Sequence, residues 1–223
     1  MQSSEVNSLQ DNSLQAETLC IIIDSVEEVS EGCIKILPSK GPSFFIRTVY
    51  LTTIIPSRLI SNQKFNEEES EELIFAGFSF LVERDALNYL NRSEHSRFLL
   101  SQKLQKKGHK QDSINVALNY LESKNYLSDY RYAISWLRNR RISKSEGKIK
   151  LFQHLLSRGV AKDIAQDALS EFYDEFSEFG MLEKAYSKCL RQNLPQEKID
   201  KKLISLGFSL SMIREYRKNY IDI

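Results

Sequence analysis

The sequence predicts a mainly α-helical protein: three tandem three-helix repeats in an elongated, curved array, preceded by a small β-containing N-terminal region. Three observations carry that expectation. Gly (8) and Pro (4) are scarce in 223 residues, which disfavours a turn-rich β architecture. Amphipathic segments ending in glycine recur at nearly constant spacing. Short runs rich in Ile, Val, Phe and Tyr are confined to the front of the chain.

Residues 1–16 are polar and aperiodic, so they read as a disordered tail. Residues 17–65 form the β-like region, with strands expected at Thr18–Ile23, Cys33–Leu37 and Ser43–Leu51. The turn-forming stretches 30–32 and 38–42 separate them. So few strands are marginal alone and need a packing partner. Asn66 and Glu69 are spaced as a capping box, and Glu67 to Glu72 enrich the first turns with negative charge, where the helix dipole favours it.

Three segments then end alike: LLSQKLQKKG (99–108), KLFQHLLSRG (150–159) and KIDKKLISLG (198–207). Leu104, Leu155 and Leu203 each stand four residues before the glycine, and the glycines lie 51 and 48 residues apart. Glycine past a helix end supplies the left-handed turn that closes the helix. With flanking segments included, the helices fall at 67–90, 94–107 and 111–124; at 128–141, 144–158 and 161–177; and at 180–191, 195–206 and 209–220. The repeats span 66–126, 127–178 and 179–223. Ser128 is a helix cap, Ser143 with Glu146 has capping-box spacing, and Pro195 suits a first turn. Such units bury their apolar faces only by stacking on one another.

The opening residues lack a basic start and an apolar run, and no stretch approaches the roughly 20 apolar residues of a membrane helix. A cytoplasmic protein with no membrane association is expected. Cys20, Cys33 and Cys189 form no C-x-x-C pair, and His95, His109 and His154 are scattered, so neither a metal nor another cofactor is implied. No phosphate loop, G-x-S-x-G or H-E-x-x-H is present. Glu171, Asp174 and Glu175 read as a solvated helix face. A non-enzyme is expected.

Charge is divided along the chain. Residues 1–96 carry 7 Lys/Arg and 15 Asp/Glu, a net of −8, and residues 97–223 carry 24 and 15, a net of +9. From Arg131 to Lys162 there are nine cations, also including Arg138, Arg140, Arg141, Lys144, Lys148, Lys150 and Arg158, opposed only by Glu146. Such a cluster suits an anionic partner, whether phosphate or carboxylate. Within it, Tyr132, Ala133, Trp136 and Leu137 share a helix face and read as core, while Arg131, Arg138 and Arg141 recur elsewhere on the cylinder.

The string YLSDYRYAISWLRNR and the following GKIKLFQHLLSRGVAKDIAQDAL resemble the RecX family of regulatory proteins. The matching positions include Tyr126, Leu127, Asp129, Arg131, Ala133, Arg138, Gly147, Ile149, Leu155, Gly159, Val160, Ile164, Ala168 and Leu169. The resemblance covers 86–220, with Ser128 standing where the family often has Asn. It implies a non-enzymatic modulator that binds the filament of the RecA recombinase on single-stranded DNA. Such a modulator restrains filament growth, ATP hydrolysis, strand exchange and the SOS response, and so regulates DNA repair and recombination. A monomer is expected, with single- or double-stranded DNA as a further partner. A stand-alone nucleic-acid-binding module is the alternative. The contact residues expected from charge are Arg138, Arg140, Arg141, Lys144, Lys148, Lys150 and Arg158; only Arg138 is also a family motif position.

Overall fold

A computed structural model of the chain describes residues 20–220. The expected tail at 1–16, and Thr18 and Leu19 of the expected first strand, lie outside the described residues. The chain divides into two compact units, Met1–Gly77 and Phe78–Ile223, and the division falls inside helix α1 (Glu67–Leu90).

The first unit holds an antiparallel meander of β1 (Ile23–Ser30), β2 (Cys33–Pro38) and β3 (Phe44–Arg47), in the order β1-β2-β3. Its register pairs Val26 with Ile36 and Ile34 with Ile46. The second and third strands are where the sequence placed them, though β3 is shortened because Thr48–Tyr50 turns into a 3-10 helix. The first strand differs: it is the polar run IDSVEEVS, not the isoleucine run before it. At the edge of the sheet most of its side chains face water, so polarity did not exclude it. Ile23, Ile36, Ile46, Phe65 and Leu73 are wholly buried.

Helix α1 opens with the expected capping box: Glu69 N donates to Asn66 Oδ1 (2.9 Å) and Asn66 N to Glu69 Oε2 (3.1 Å). One turn on, the Glu72 carboxylate accepts the backbone amides of Thr52, Thr53 and Ile54. Burial works to raise this carboxyl, but the Thr53 hydroxyl and those amides outweigh it and hold it at about 2.

The second unit is helical. After α1 come α2 (Arg97–Lys106), α3 (Gln111–Ser123), α4 (Asp129–Ser143), α5 (Lys148–Leu156), α6 (Lys162–Glu175), α7 (Glu178–Arg191), α8 (Gln196–Ser205) and α9 (Leu210–Tyr220). Val82 and Ala86 of α1 pack with Leu100, Leu104, Ile114, Leu118 and Leu121 in one core. A second, continuous core runs from Tyr132 and Leu137 through Leu155, Phe172 and Leu182 to Ile213, so the last two repeats are stabilised together.

The middle helices α2, α5 and α8 repeat with a fixed internal length. Their N-caps Ser96, Gly147 and Pro195 each precede the terminal glycine by twelve residues. Successive repeats meet at these ends. Ser96 Oγ donates to Arg158 O (2.7 Å), beside Gly159. Gly147 N donates to Leu206 O (2.8 Å), beside Gly207. The N-terminus of one middle helix thus satisfies open carbonyls at the C-terminus of the next. The approach is close enough to demand glycine. A Cβ on Gly147 would lie 2.6 Å from the Gly207 carbonyl carbon, and one on Gly207 would lie 2.5 Å from Lys150 N.

The first helix of the following repeat completes each joint. Asp129 Oδ1 accepts from Arg97 N (2.7 Å), and Glu178 Oε1 accepts from Lys148 N (2.8 Å). Asp129 is therefore a capping carboxylate, with its acidity weakened by burial against the opposing Arg97 amide. Among the described residues no helix is long and apolar enough to cross a membrane.

Candidate partner-binding surface

Helix α4 starts at the Ser128 cap, whose hydroxyl accepts from Arg131 N. It packs chiefly against α6. Tyr132, Ala133 and Leu137 are buried, as their spacing required. Trp136 is half-buried and packs against the same core. Its indole lies beneath cations: the guanidinium carbons of Arg158 and Arg140 are 4.5 and 5.7 Å from its ring centroid. It packs against the core and also serves as a platform for arginines.

Four of the expected contact residues are engaged within the protein. Arg140 grips Glu146 with two nitrogens, Nε at 2.7 Å and Nη2 at 3.0 Å. Lys150 Nζ stands 3.7 Å from the same carboxylate and donates to Ser205 O at 3.0 Å. Arg158 donates to His154 O (2.8 Å) and covers Trp136. Arg138 pairs with Glu175 (2.9 Å) and lies 3.6 Å from Glu171. The carboxylates expected to form a solvated face are thus, in part, the counter-charges of α4. Arg131 is fully committed too, to Glu94, Asn125 and the Tyr126 carbonyl.

Glu146 is the hub of the inner set. Its side chain is 4% exposed. Burial pushes the carboxyl up, but the Arg140 hydrogen bond and the charges of Arg140, His154 and Lys150 outweigh it and hold it below the usual carboxylate range. His154 lies 3.8 Å away, and burial lowers the proton affinity of its imidazole, with the neighbouring arginines and Lys150 adding to the effect against Glu146. The expected Ser143–Glu146 capping box does not form. Ser143 ends α4 and its hydroxyl donates to the Arg140 carbonyl, while α5 starts after Gly147. The attraction of Arg140 and Lys150 for one carboxylate replaces a cap of ordinary strength.

Arg141, Lys144 and Lys148 form the outer set. None makes an ion pair among the described residues, and Lys144 and Lys148 are exposed. Arg141 lies flat on Phe176 at 3.8 Å from the ring centroid and makes no hydrogen bond through its buried Nε. It lines a cleft of about 250 Å³ whose wall includes Phe176, Met181, Lys184 and the carboxylate residues Glu175 and Glu183. Two residues outside the expected set flank these cations: Ile142, 81% exposed, and Ile149, 52% exposed. Among the described residues no group of His, Cys, Asp or Glu side chains is arranged to hold a metal ion.

A stack of three-helix repeats joined end to end through their middle helices, with a cationic turn in the second repeat, defines a helical-repeat protein. Two family models match within it: RecX, first three-helix domain, over residues 84–121, and RecX, second three-helix domain, over 128–169. The regulatory protein RecX of Prosthecochloris aestuarii is 33% identical over 132 residues, covering 58% of this chain and 87% of that protein. That of Haemophilus influenzae (strain PittEE) is 32% identical over 136 residues, covering 59% and 86%. A crystal structure of regulatory protein RecX superposes with a TM-score of 0.71 at 21% identity, covering 89% of this chain and 99% of that one. The crystal structure of RecX from Lactobacillus salivarius gives 0.57 at 24% identity, covering 66% and 98%. Those two likenesses establish the fold. The chain belongs to the RecX family of regulatory proteins.

Proposed function

We propose that this protein binds the filament that the RecA recombinase forms on single-stranded DNA and restrains its growth, ATP hydrolysis and strand exchange. It acts by occupation rather than by catalysis, in the cytoplasm and as a monomer, and thereby regulates DNA repair and the SOS response. Family membership supports the reading, and the observation that carries it to this chain is the outer cation set. Among the described residues, Arg141, Lys144 and Lys148 make no ion pair with a carboxylate of their own protein. An external anionic surface supplies what the fold withholds. Arg138, Arg140, Lys150 and Arg158 hold the turn in shape for that contact, and the repeats support it from behind.

The test is the single-stranded-DNA-dependent ATPase of the cognate RecA, titrated with the full chain. Inhibition at substoichiometric protein is expected. An ATPase rate unchanged at a molar excess overturns the reading. The exposed Lys144, Lys148 and Lys162 also suit phosphates, which favours a second reading, a nucleic-acid-binding module independent of RecA. That reading predicts salt-dependent binding to naked DNA at the same affinity with and without RecA.

A further inference from the structure

The segment from Arg141 to Ile149 carries three cations that make no ion pair among the described residues, together with two exposed isoleucines. Ile142 is the most exposed of the large hydrophobic residues described, at 81%. Ile149 is 52% exposed at the start of α5. Between them Lys144 and Lys148 face water. Neither isoleucine belongs to the core cluster of the last two repeats.

The segment is also fixed from behind. Glu146 is clamped by Arg140 and stands near Lys150. Gly147 N is bonded to Leu206 O, in a space that admits no side chain. Lys148 N is bonded to Glu178 Oε1. The exposed side chains are therefore carried on a backbone ordered before any partner arrives, which reduces the entropy lost on binding.

We infer that residues 141–149 form a docking element for an acidic protein surface with an apolar recess, the isoleucines acting as anchors and Arg141, Lys144 and Lys148 as the rim. This deepens the function proposed above and rests on it: the surface met is the protein of the filament and not its DNA. Charge complementarity selects an acidic partner. The isoleucines then decide between protein and nucleic acid. Single strands are gripped through phosphates and through aromatic platforms on which bases stack, and an isoleucine offers neither. A desolvated aliphatic anchor ringed by charge is the usual plan of a protein–protein hot spot.

The experiment compares the full chain with Ile142→Ser/Ile149→Ser and Ile142→Leu/Ile149→Leu. Affinity is measured for RecA filaments held on single-stranded DNA by a non-hydrolysable ATP analogue, and for the naked single strand and a duplex. Melting temperatures are recorded alongside; both positions are exposed, so the wild-type value is expected. The serine variant is expected to bind filaments at least about tenfold more weakly, with an unchanged salt dependence, and the leucine variant within about threefold of wild type. Naked-DNA binding is expected to be the same for all three chains. Filament binding unchanged in the serine variant overturns the inference and leaves the functional reading standing. Loss of naked single-strand or duplex binding in parallel overturns it in favour of nucleic-acid contact. Wild-type chain that fails to bind filaments overturns the functional reading itself.

Discussion

Arg140 and Lys150 flank Arg141, Lys144 and Lys148 in sequence, yet the two sets have opposite fates. The first pair turns inward on Glu146, whose side chain is 4% exposed, while the other three make no ion pair among the described residues. A count of charges along the chain gives all five the same weight. The fold does not, because it brings the Glu146 carboxylate within ion-pair reach of the first pair, whereas Arg141 and Lys148 share clefts with Glu175, Glu178 and Glu183 without pairing among the described residues. A basic stretch is thus two things at once: a cross-brace and a surface.

Removing the brace gives the largest expected effect. Glu146→Ala leaves Arg140 without its anion and is expected to lower stability by about 3 kcal/mol, measured by urea denaturation, since breaking a buried pair is far more damaging than never having had one. Near-wild-type stability in this variant would erase the distinction between the two sets. Next come the joints. Gly147→Ala forces a Cβ against the Gly207 carbonyl and is expected to lose about 1–3 kcal/mol. Gly108→Ala is the matched control: its Cβ would meet nothing within 4 Å, so only the strain of its left-handed backbone, about 1 kcal/mol, is expected. If the two cost the same, the head-to-tail joint is not what the glycine serves. Ser96→Ala, losing an N-cap and a bond to the next repeat, is expected to cost about 1 kcal/mol.

Acid acts on both units in the same direction. Glu72 titrates at about 2 in the folded chain against an ordinary 4.5, so the folded state takes up its proton later than the unfolded one. Its stabilising contribution is fully present above 4.5 and lost as pH falls from there to about 2. Glu146, also depressed, acts in the same direction in the second unit. Glu72→Gln is expected to flatten the acid limb of a stability–pH curve recorded on the melting of the sheet; an unchanged limb would remove Glu72 from that account. The smallest structural effect belongs to the outer set: Lys144→Glu/Lys148→Glu is expected to shift stability by less than about 0.5 kcal/mol.

Much of this was legible in the sequence, for reasons of range. The helices are set by local spacing, and α1 begins and ends where its capping box and apolar pattern place it. The terminal glycines were legible as helix stops, but their second role, close approach between repeats, needed the partner backbone 60 residues away, as between Gly147 and Gly207. Arg138 finds Glu175 across 37 residues, and Arg131 finds Glu94 across another 37, separations at which sequence offers no periodic cue. Glu146 was visible as the one acid among nine cations, and that isolation was the available signal of its role. The polar β1 was missed because an edge strand is free of the alternation that marks its neighbours.

The outer set carries the central claim, and one titration tests it most directly. The single-stranded-DNA-dependent ATPase of RecA is measured against increasing wild-type chain and against Arg141→Glu/Lys144→Glu/Lys148→Glu, with the folded fraction of each fixed by circular dichroism. The wild type is expected to suppress the ATPase substoichiometrically, and the folded variant to require at least about tenfold more protein for the same suppression. Equal suppression by both chains would contradict the division between brace and surface.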